Sequence, residues 1–560
     1  MPATRGEPIK LLLVTVFLMC TILPVSGVRA QPAAGRDQVI IGMSEEPDVL
    51  NPLFAEAPAA MSVLATIFTV DVQRDSTWKL FPQGVQSLPS LKDGTWKLRG
   101  ETMTLVWRLK PRDWHDGTPV TCGDFSFGYH VARNVNVPVV ARDLTNRIAG
   151  VICPKGDRGT EIVVNWKERY AYAHTAVTEH GALPRHILEA PYRMHPAALP
   201  EAPFGRDPER TVGDGAYRLV EWRRGVSLTA DAAPNHRIFG TPKIRRITWR
   251  FIPDTHALVE NILSGTIDVI STIGISFDQA VQLERRATGR IKVFFEPGLI
   301  WEHIDFNFAN PILADVRVRR ALAHAIDREE ITRLFGGKQP ISHTYLPPKH
   351  PGHTDAVAKY PYDPPRARGL LQEAGWTPGP DGMLRDMAGR RLSLEINTTT
   401  GIRAREQVEQ IIRRNLREVG IELIIRNFPA RVLFGEITTR RKFKALTMYA
   451  WALSPTSDCE QLYTSDGIPA EENGWAGQNY PGYQNGEMDR ICHAASREID
   501  ETKRNRLLRE SATIFARDLP AVPLYVRRVV AATKPGLRNY TAVHTGTSYE
   551  TWNAPRWEWE

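Results

Sequence analysis

Several absences narrow this 560-residue chain before any motif is read. Past residue 30 no apolar run approaches the ~18 residues of a membrane-spanning helix, so the body of the chain is expected to be soluble. There is no low-complexity tract and no repeat of fixed period, which argues against a solenoid or a disordered array. Gly-x-Ser-x-Gly, His-Glu-x-x-His and P-loop motifs are all missing, which removes the commonest hydrolase and nucleotidase signatures. Carboxylate pairs occur, as in any chain this long, so a glycosidase pair stays open at this level. Cysteine is scarce, five in all with no Cys-x-x-Cys, so neither a zinc knuckle nor a redox pair is expected. The 15 histidines are dispersed, so no metal site and no cofactor is expected.

Charge is present but not concentrated. The formal net charge is +8, of which Arg5, Lys10 and Arg29 against Glu7 supply +2. The densest basic groups are Arg413-Arg414 and Arg440-Arg441-Lys442, too small and too scattered for a nucleic-acid face. A solvated surface is the plainer reading, and no nucleic-acid partner is expected.

The first 30 residues have the three parts of a secretory signal. Arg5 and Lys10 precede an apolar run over 11–23, Pro24 and Gly27 break it, and Val28-Arg29-Ala30 offers small residues for cleavage near Ala30. Cys20 would be a lipid anchor only after a small residue, and Met19 stands there. The remaining cysteines, Cys122, Cys153, Cys459 and Cys492, form an even set in an exported chain, which suggests disulfides. Of the three possible pairings, proximity favours Cys122–Cys153 and Cys459–Cys492.

Short strands alternate with capped helices, a pattern of α/β class. Val39-Ile40-Ile41 reads as a first strand, Leu105, Trp107 and Leu109 as another of period two, and Thr121 with Asp124 as a capping box. Leu258, Ile262 and Leu263 have helical spacing ended by Gly265, and Ile267 and Val269 start a strand. Ile304, Phe306 and Phe308 alternate as a strand before a helix capped by Asp315. Asp363-Pro364 opens a helix that Gly375 stops, and Val408, Ile411, Ile412, Leu416 and Val419 form an amphipathic face closed by Gly420. Ile421, Leu423 and Ile425 follow as a strand.

Six blocks, in order, resemble one family. They are Leu109-Lys110-Pro111-Arg112-Asp113-Trp114-His115-Asp116-Gly117-Thr118-Pro119-Val120-Thr121; Gly213-Asp214-Gly215-Ala216-Tyr217-Arg218-Leu219; and Ser264-Gly265-Thr266-Ile267-Asp268-Val269. Then come Phe306-Asn307-Phe308 with Asp315-Val316-Arg317-Val318-Arg319-Arg320; Tyr362-Asp363-Pro364 with Glu373-Ala374-Gly375-Trp376; and Pro520 with Pro523-Leu524-Tyr525. The chain is similar to the family 5 extracellular solute-binding proteins, the dipeptide-, oligopeptide- and nickel-binding components of ABC importers. The resemblance implies a two-lobed periplasmic-binding-protein fold of α/β class, with an extra subdomain in the first lobe and a two-segment hinge. It implies lobe I from 31–76, 207–297 and 520–560, the subdomain from 77–206, and lobe II from 298–519. It further implies a monomer in the periplasm that captures a peptide-like or other polar solute and passes it to an ABC permease with its ATPase. An opine, an oligosaccharide or a metal chelate is the alternative ligand, and a hydrolase or signalling receptor on the same fold the alternative class.

Candidate site residues are sought in loops after strands, where α/β sheets bind ligands. Glu45 and Glu46 follow the first strand. Trp301 and His303 fall where the chain should cross between lobes, with Trp301 either stacking on ligand or packing in the hinge. Tyr449 and Trp451 belong to a segment that relatives extend into the cleft. In peptide-binding relatives an acid three positions after this Trp pairs with the ligand's α-ammonium; here that position holds Ser454, and Asp458 comes four residues later. Tyr480 and Tyr483 are further cleft candidates, more plainly read as a packed Pro-Gly turn. Trp552, Trp557 and Trp559 are expected to cover the first lobe or to lie in a terminal tail.

Overall fold

The computed structural model describes residues 36–55, 57–544 and 549–560. The expected signal segment, Cys20 and the cleavage point at Ala30 lie outside the described residues. Ten strands build one mixed sheet: β1 (Gln38–Met43), β2 (Tyr217–Arg223), β3 (Ser227–Ala232), β4 (Arg246–Phe251), β5 (Val269–Ile270), β6 (Lys292–Phe306), β7 (Ser393–Asn397), β8 (Glu422–Ile425), β9 (Leu446–Ala452) and β10 (Ala521–Thr533). Their spatial order is β8-β7-β9-β6-β10-β5-β1-β4-β3-β2.

The long antiparallel pair β6–β10 holds the two halves of this sheet together. Lys292 lies opposite Thr533 and Asp305 opposite Ala521, with a break in register between Pro297 and Ile300. On one side of the break β10 continues to β5 and β1; on the other, β6 continues to β9. The sequence pattern finds only the last part of β6, from Ile304 onward. It misses the rest because Glu296-Pro297-Gly298 reads as a strand breaker, whereas a bulge accommodates both residues. A Cβ on Gly298 would sit 2.6 Å from the Arg527 carbonyl oxygen, so the close approach of the two strands requires glycine there.

Separate apolar cores accompany the two halves. One is centred on Ile41, Ile67, Tyr217, Trp249 and Trp557. A second joins Phe306, Leu322, Ile396, Leu416 and Tyr525, and a third joins Trp301, Tyr345 and Phe515. A four-stranded antiparallel sheet (Trp96–Arg99, Thr102–Arg108, Ile148–Ile152, Glu161–Trp166) and the helix Cys122–Arg133 enclose their own core of Trp107, Trp114, Phe125 and Trp166. Its helix starts at the expected capping box, Thr121 with Asp124. Asp315 and Asp363 cap helices by accepting from Arg317 N and Arg366 N. Cys122 is bonded to Cys153 and Cys459 to Cys492, the pairing expected from proximity. Trp557 is fully buried, and the Trp559 indole donates to the Gln38 carbonyl, so these two tryptophans cover β1 and its neighbours, while Trp552 meets Phe81 edge-on.

Two family-like blocks meet at the root of this subdomain. Arg112 Nε donates to Asp214 (2.6 Å), Nη2 to Asp71 (2.8 Å) and Nη1 to the Gly84 carbonyl (2.9 Å). His115 also contacts this turn, its backbone N donating to the Gly213 carbonyl (2.8 Å). A Cβ at Gly213 or Gly215 would meet backbone oxygens of Ile67 or Thr66 at 2.0 and 2.4 Å, which explains that glycine pair by close approach.

Candidate functional site

Strand direction locates the site. β1 runs parallel to β4 and β5, and β5 runs antiparallel to β10 with Ile270 opposite Ala532. The carboxyl ends of β1, β4 and β5 therefore point toward the break in β6–β10. β9 ends with Ala452 opposite Ile300, at that same break, and β7 and β8 run parallel to β9. The carboxyl ends of strands from both halves thus converge on one place. In open α/β sheets that is where ligands bind.

The first wall is built from the loops after β1 and β5, tied by Ser44 Oγ donating to the Ile273 carbonyl (2.5 Å). Glu45 is exposed here. Glu46 is occupied: it accepts from Trp222 Nε1 (2.8 Å) and Gly225 N (2.9 Å), bracing the β2–β3 hairpin. The opposite wall is built from the loops after β7 and β8, cross-linked by Thr400 N to Phe428 O and Phe428 N to Thr398 O. It presents three apolar side chains to solvent, Ile402 (37% exposed), Val432 (38%) and Phe434 (37%). Trp451, half-buried, stacks on Tyr480 at 5.6 Å and meets Tyr449 edge-on at 5.5 Å; Phe434 meets Tyr449 at 5.8 Å. Beside the break lies a cavity of about 190 Å³, lined among others by Trp78, Phe294, Glu296, Pro297, Lys349 and Tyr540.

Several sequence candidates belong to packing. Trp301 and His303 are both 0% exposed. Their rings stack at 4.2 Å, and Trp301 also meets Phe515 edge-on, so neither ring has a free face for a ligand. Tyr449 is buried against His303 and donates to Asp305 Oδ2 (2.5 Å); burial and that carboxylate push its phenol well above the ordinary range. Tyr483 is buried and donates to Asp518 Oδ2 (2.6 Å). Ser454 closes a local turn, its Oγ within 2.9 Å of Thr456 Oγ1 and 3.2 Å of Ser457 Oγ. Asp458 accepts from Glu460 N, and burial lifts its carboxyl to about 6. Burial and, after it, the Asp458 charge raise the phenols of Tyr170 and Tyr172, so Asp458 lies near the seam where Ala171 N donates to the Ser496 carbonyl (3.0 Å).

Sequence reading missed an ionic cluster on the crossing strands. Glu302, on β6, is 1% exposed. Its Oε1 accepts from Arg405 Nη2 (3.3 Å) and from Arg527 Nη2, while Oε2 is buried without a partner. Burial pushes its carboxyl up, but the two guanidinia outweigh burial and hold it below the usual range. Arg405 sits in the first turn of the helix Arg403–Glu418, and Arg527 lies on β10 opposite Ile300. No local pattern signals this cluster, because its members are 103 and 225 residues apart. Phe434, in the short helical segment Leu433–Thr438 after β8, also carries no signal in the sequence.

Among the described residues no group of His, Cys, Asp and Glu is placed to hold a metal ion, and no helix is long and apolar enough to cross a membrane.

Comparisons with known proteins follow the same lines. The family model described as "Bacterial extracellular solute-binding proteins, family 5 Middle" matches residues 88–469. The oligopeptide-binding protein AppA of Bacillus subtilis (strain 168) is 25% identical over 547 residues, 95% of this chain and 94% of its own length. The glutathione-binding protein GsiB of Salmonella typhi is 25% identical over 376 residues, 64% of this chain and 68% of its own. The crystal structure of the oligopeptide binding protein from Thermus thermophilus, complexed with a pentapeptide, superposes with a TM-score of 0.71 at 30% identity, covering 93% of this chain and 96% of that one.

Proposed function

This chain belongs to the family 5 bacterial extracellular solute-binding proteins, and from that premise we propose that it is the extracytoplasmic capture component of an ABC importer for a peptide-like or other polar solute. It is a binding protein rather than an enzyme. The observation that carries the proposal is the convergence of strand carboxyl ends from both halves on the break in β6–β10. The solute enters between the two walls, closure by hinge motion encloses it, and a membrane permease with its ATPase receives it.

The lobes are assigned by chain segment, with one core shared between the first lobe and the subdomain, since Phe127, Leu183 and Phe204 pack with Ile41 and Trp249. The first lobe takes 31–76, 207–297 and the chain's end, the subdomain 77–206, and the second lobe 298–519. The second lobe also keeps the first half of β10, since Val522, Leu524 and Tyr525 pack in its core. The register break in β6 is the hinge. Export by a cleaved signal, a periplasmic location and a monomeric state complete the proposal.

Of the sequence candidates, Glu45 and Trp451 face the cleft, and Phe434 and Ile402 join them. Of the similar proteins named above, two are oligopeptide-binding and one is glutathione-binding. In this chain the Ser454 turn holds no carboxylate, so a buried α-ammonium would lack a charged partner there, which is costly. That favours solutes whose amino end is blocked or solvated, and keeps opines, oligosaccharides and chelates as the second reading.

The test is thermal unfolding with a panel of peptides, opines, sugars and chelates, since a ligand present at 100 times its Kd stabilises by about 2.7 kcal/mol. A raised Tm with at least one of them is expected, and a panel without any shift would refute capture. In that ligand's presence Trp451→Ala lowers affinity about tenfold, as loss of an aromatic anchor does, with the fold intact. Unchanged affinity removes Trp451 from the site.

A further inference from the structure

The cluster on the crossing strands carries an inference that rests on the capture reading and sharpens it. Two guanidinia share one carboxylate oxygen. A guanidinium stays charged at any physiological pH, so the group has one positive charge too many. Arg405 is nearly consumed: it is 7% exposed, with Nη2 on Glu302 and Nη1 on Thr399 Oγ1 (3.3 Å). Arg527 is not. Among the described residues its side chain makes one hydrogen bond, to Glu302, and it is 38% exposed beside a carboxylate that is 1% exposed. Within the cluster Glu302 Oε2 and Arg405 Nε are buried without partners. Of these two atoms only the Arg405 Nε donor is of the kind an anion satisfies, so the surplus of donors and of positive charge, rather than the Glu302 oxygen, points to an absent anion.

Position supplies the rest. Arg527 is opposite Ile300, at the register break, where the strand ends of both halves converge. Its remaining donors form the planar fork that matches a carboxylate bidentately.

We propose that Arg527, backed by Glu302 and Arg405, is an anion subsite that takes a carboxylate of the captured solute. The ligand's carboxylate completes an alternating Arg–Glu–Arg–carboxylate group of zero net charge. The charge that selects the solute is then negative and sits at the hinge, while the Ser454 turn selects no positive one. Arg405 and Glu302 are positioning residues: they hold the Arg527 fork but do not themselves need to touch the solute.

The test uses the full exported chain and four probes: tetra-alanine and its C-terminal amide, each with a free and with an acetylated amino end. Calorimetric titration should show both acids binding about tenfold or more tighter than their amides, the weight of a charge-assisted pair, irrespective of acetylation. Arg527→Gln should erase the preference for acids and leave the unliganded Tm nearly in place; a purely structural arginine would shift the Tm and leave the preference. Amides that bind as well as acids, a preference that follows the amino end, or a preference surviving Arg527→Gln overturns the subsite alone. If none of the four binds, native mass spectrometry of the purified protein decides. A co-purified acid that Arg527→Gln releases supports the subsite, and a neutral or cationic solute overturns it. No solute there and none from the wider panel overturns capture itself, and the subsite with it.

Discussion

Two buried arginine–carboxylate clusters in this molecule have opposite stoichiometry. At the root of the subdomain one guanidinium, Arg112, serves two carboxylates, Asp71 and Asp214. On the crossing strands two guanidinia serve one carboxylate, Glu302. The first cluster is closed. Its side chains are 1–6% exposed, and each of the three guanidinium nitrogens of Arg112 has an acceptor. Its surplus negative charge is removable, because burial raises the Asp71 carboxyl to about 6 against the pull of Arg112, so a proton can neutralise it. The second cluster is open. It keeps unpartnered buried atoms and a half-exposed guanidinium, and an arginine has no proton to lose at neutral pH. Saturation marks a clamp that holds two parts of the chain together; a deficit of one anion at a cleft marks a place for something else.

The sharpest way to break this contrast is at Arg112. Arg112→Met strands two carboxylates in a dry site, which costs about 3–5 kcal/mol. Thermal or urea unfolding should show that loss together with unfolding of the subdomain; a change below about 1 kcal/mol would mean the cluster is no clamp. Glu302→Gln comes next, at about 2–3 kcal/mol, reduced because Arg527 is partly solvated. Glu302 is held below its ordinary range, so its contribution is present above about pH 4.5 and lost as pH falls through the folded value. The gap between wild type and variant should therefore be full at pH 7 and close in acid.

A third carboxylate extends the series to no guanidinium at all. Glu409 is 0% exposed, accepts among the described residues from Asn427 Nδ2 alone (2.7 Å), and burial lifts it from 4.5 to about 7. Here the sign reverses: stability from this group is present below pH 4.5 and lost as pH rises through 7. Glu409→Gln should stabilise the protein by about 1–2 kcal/mol at pH 8 and by nothing at pH 4, read as Tm against pH. A destabilised variant at pH 8 would show that Glu409 has a partner in solution. The smallest effect is that of Arg527→Gln on the unliganded protein, under about 1 kcal/mol, since a half-exposed guanidinium gains little from one shared oxygen. A larger loss would make the open cluster structural after all.

Much of the architecture was legible residue by residue. The capping box at Thr121, the caps at Asp315 and Asp363, and the helix-ending glycines at Gly265 and Gly375 each act over one turn of chain, and the structure has them where expected. The order of six blocks carried the family, and the blocks proved to be structural: Arg112 and Asp214, from two of them, bind each other. The candidate site was read less well. Aromatic residues near the crossing point were nominated for ligand contact, yet Trp301, His303 and Tyr449 fill the core, because a large ring beside a central strand gains more by burial than by exposure. Trp451, two residues beyond Tyr449, stays half-buried at the strand's end.

The sequence alone thus determined the class of fold, the family and the cysteine pairing by proximity, since these follow from short-range chemistry and from motif order. Tertiary structure decided that β6 runs on through Pro297 and Gly298, because only a paired strand shows that a breaker has become a bulge. It also decided that Glu302, Arg405 and Arg527 share one site. Coulomb forces and desolvation act through space rather than along the chain, so which charges meet, and which is left over, is written only in the folded protein.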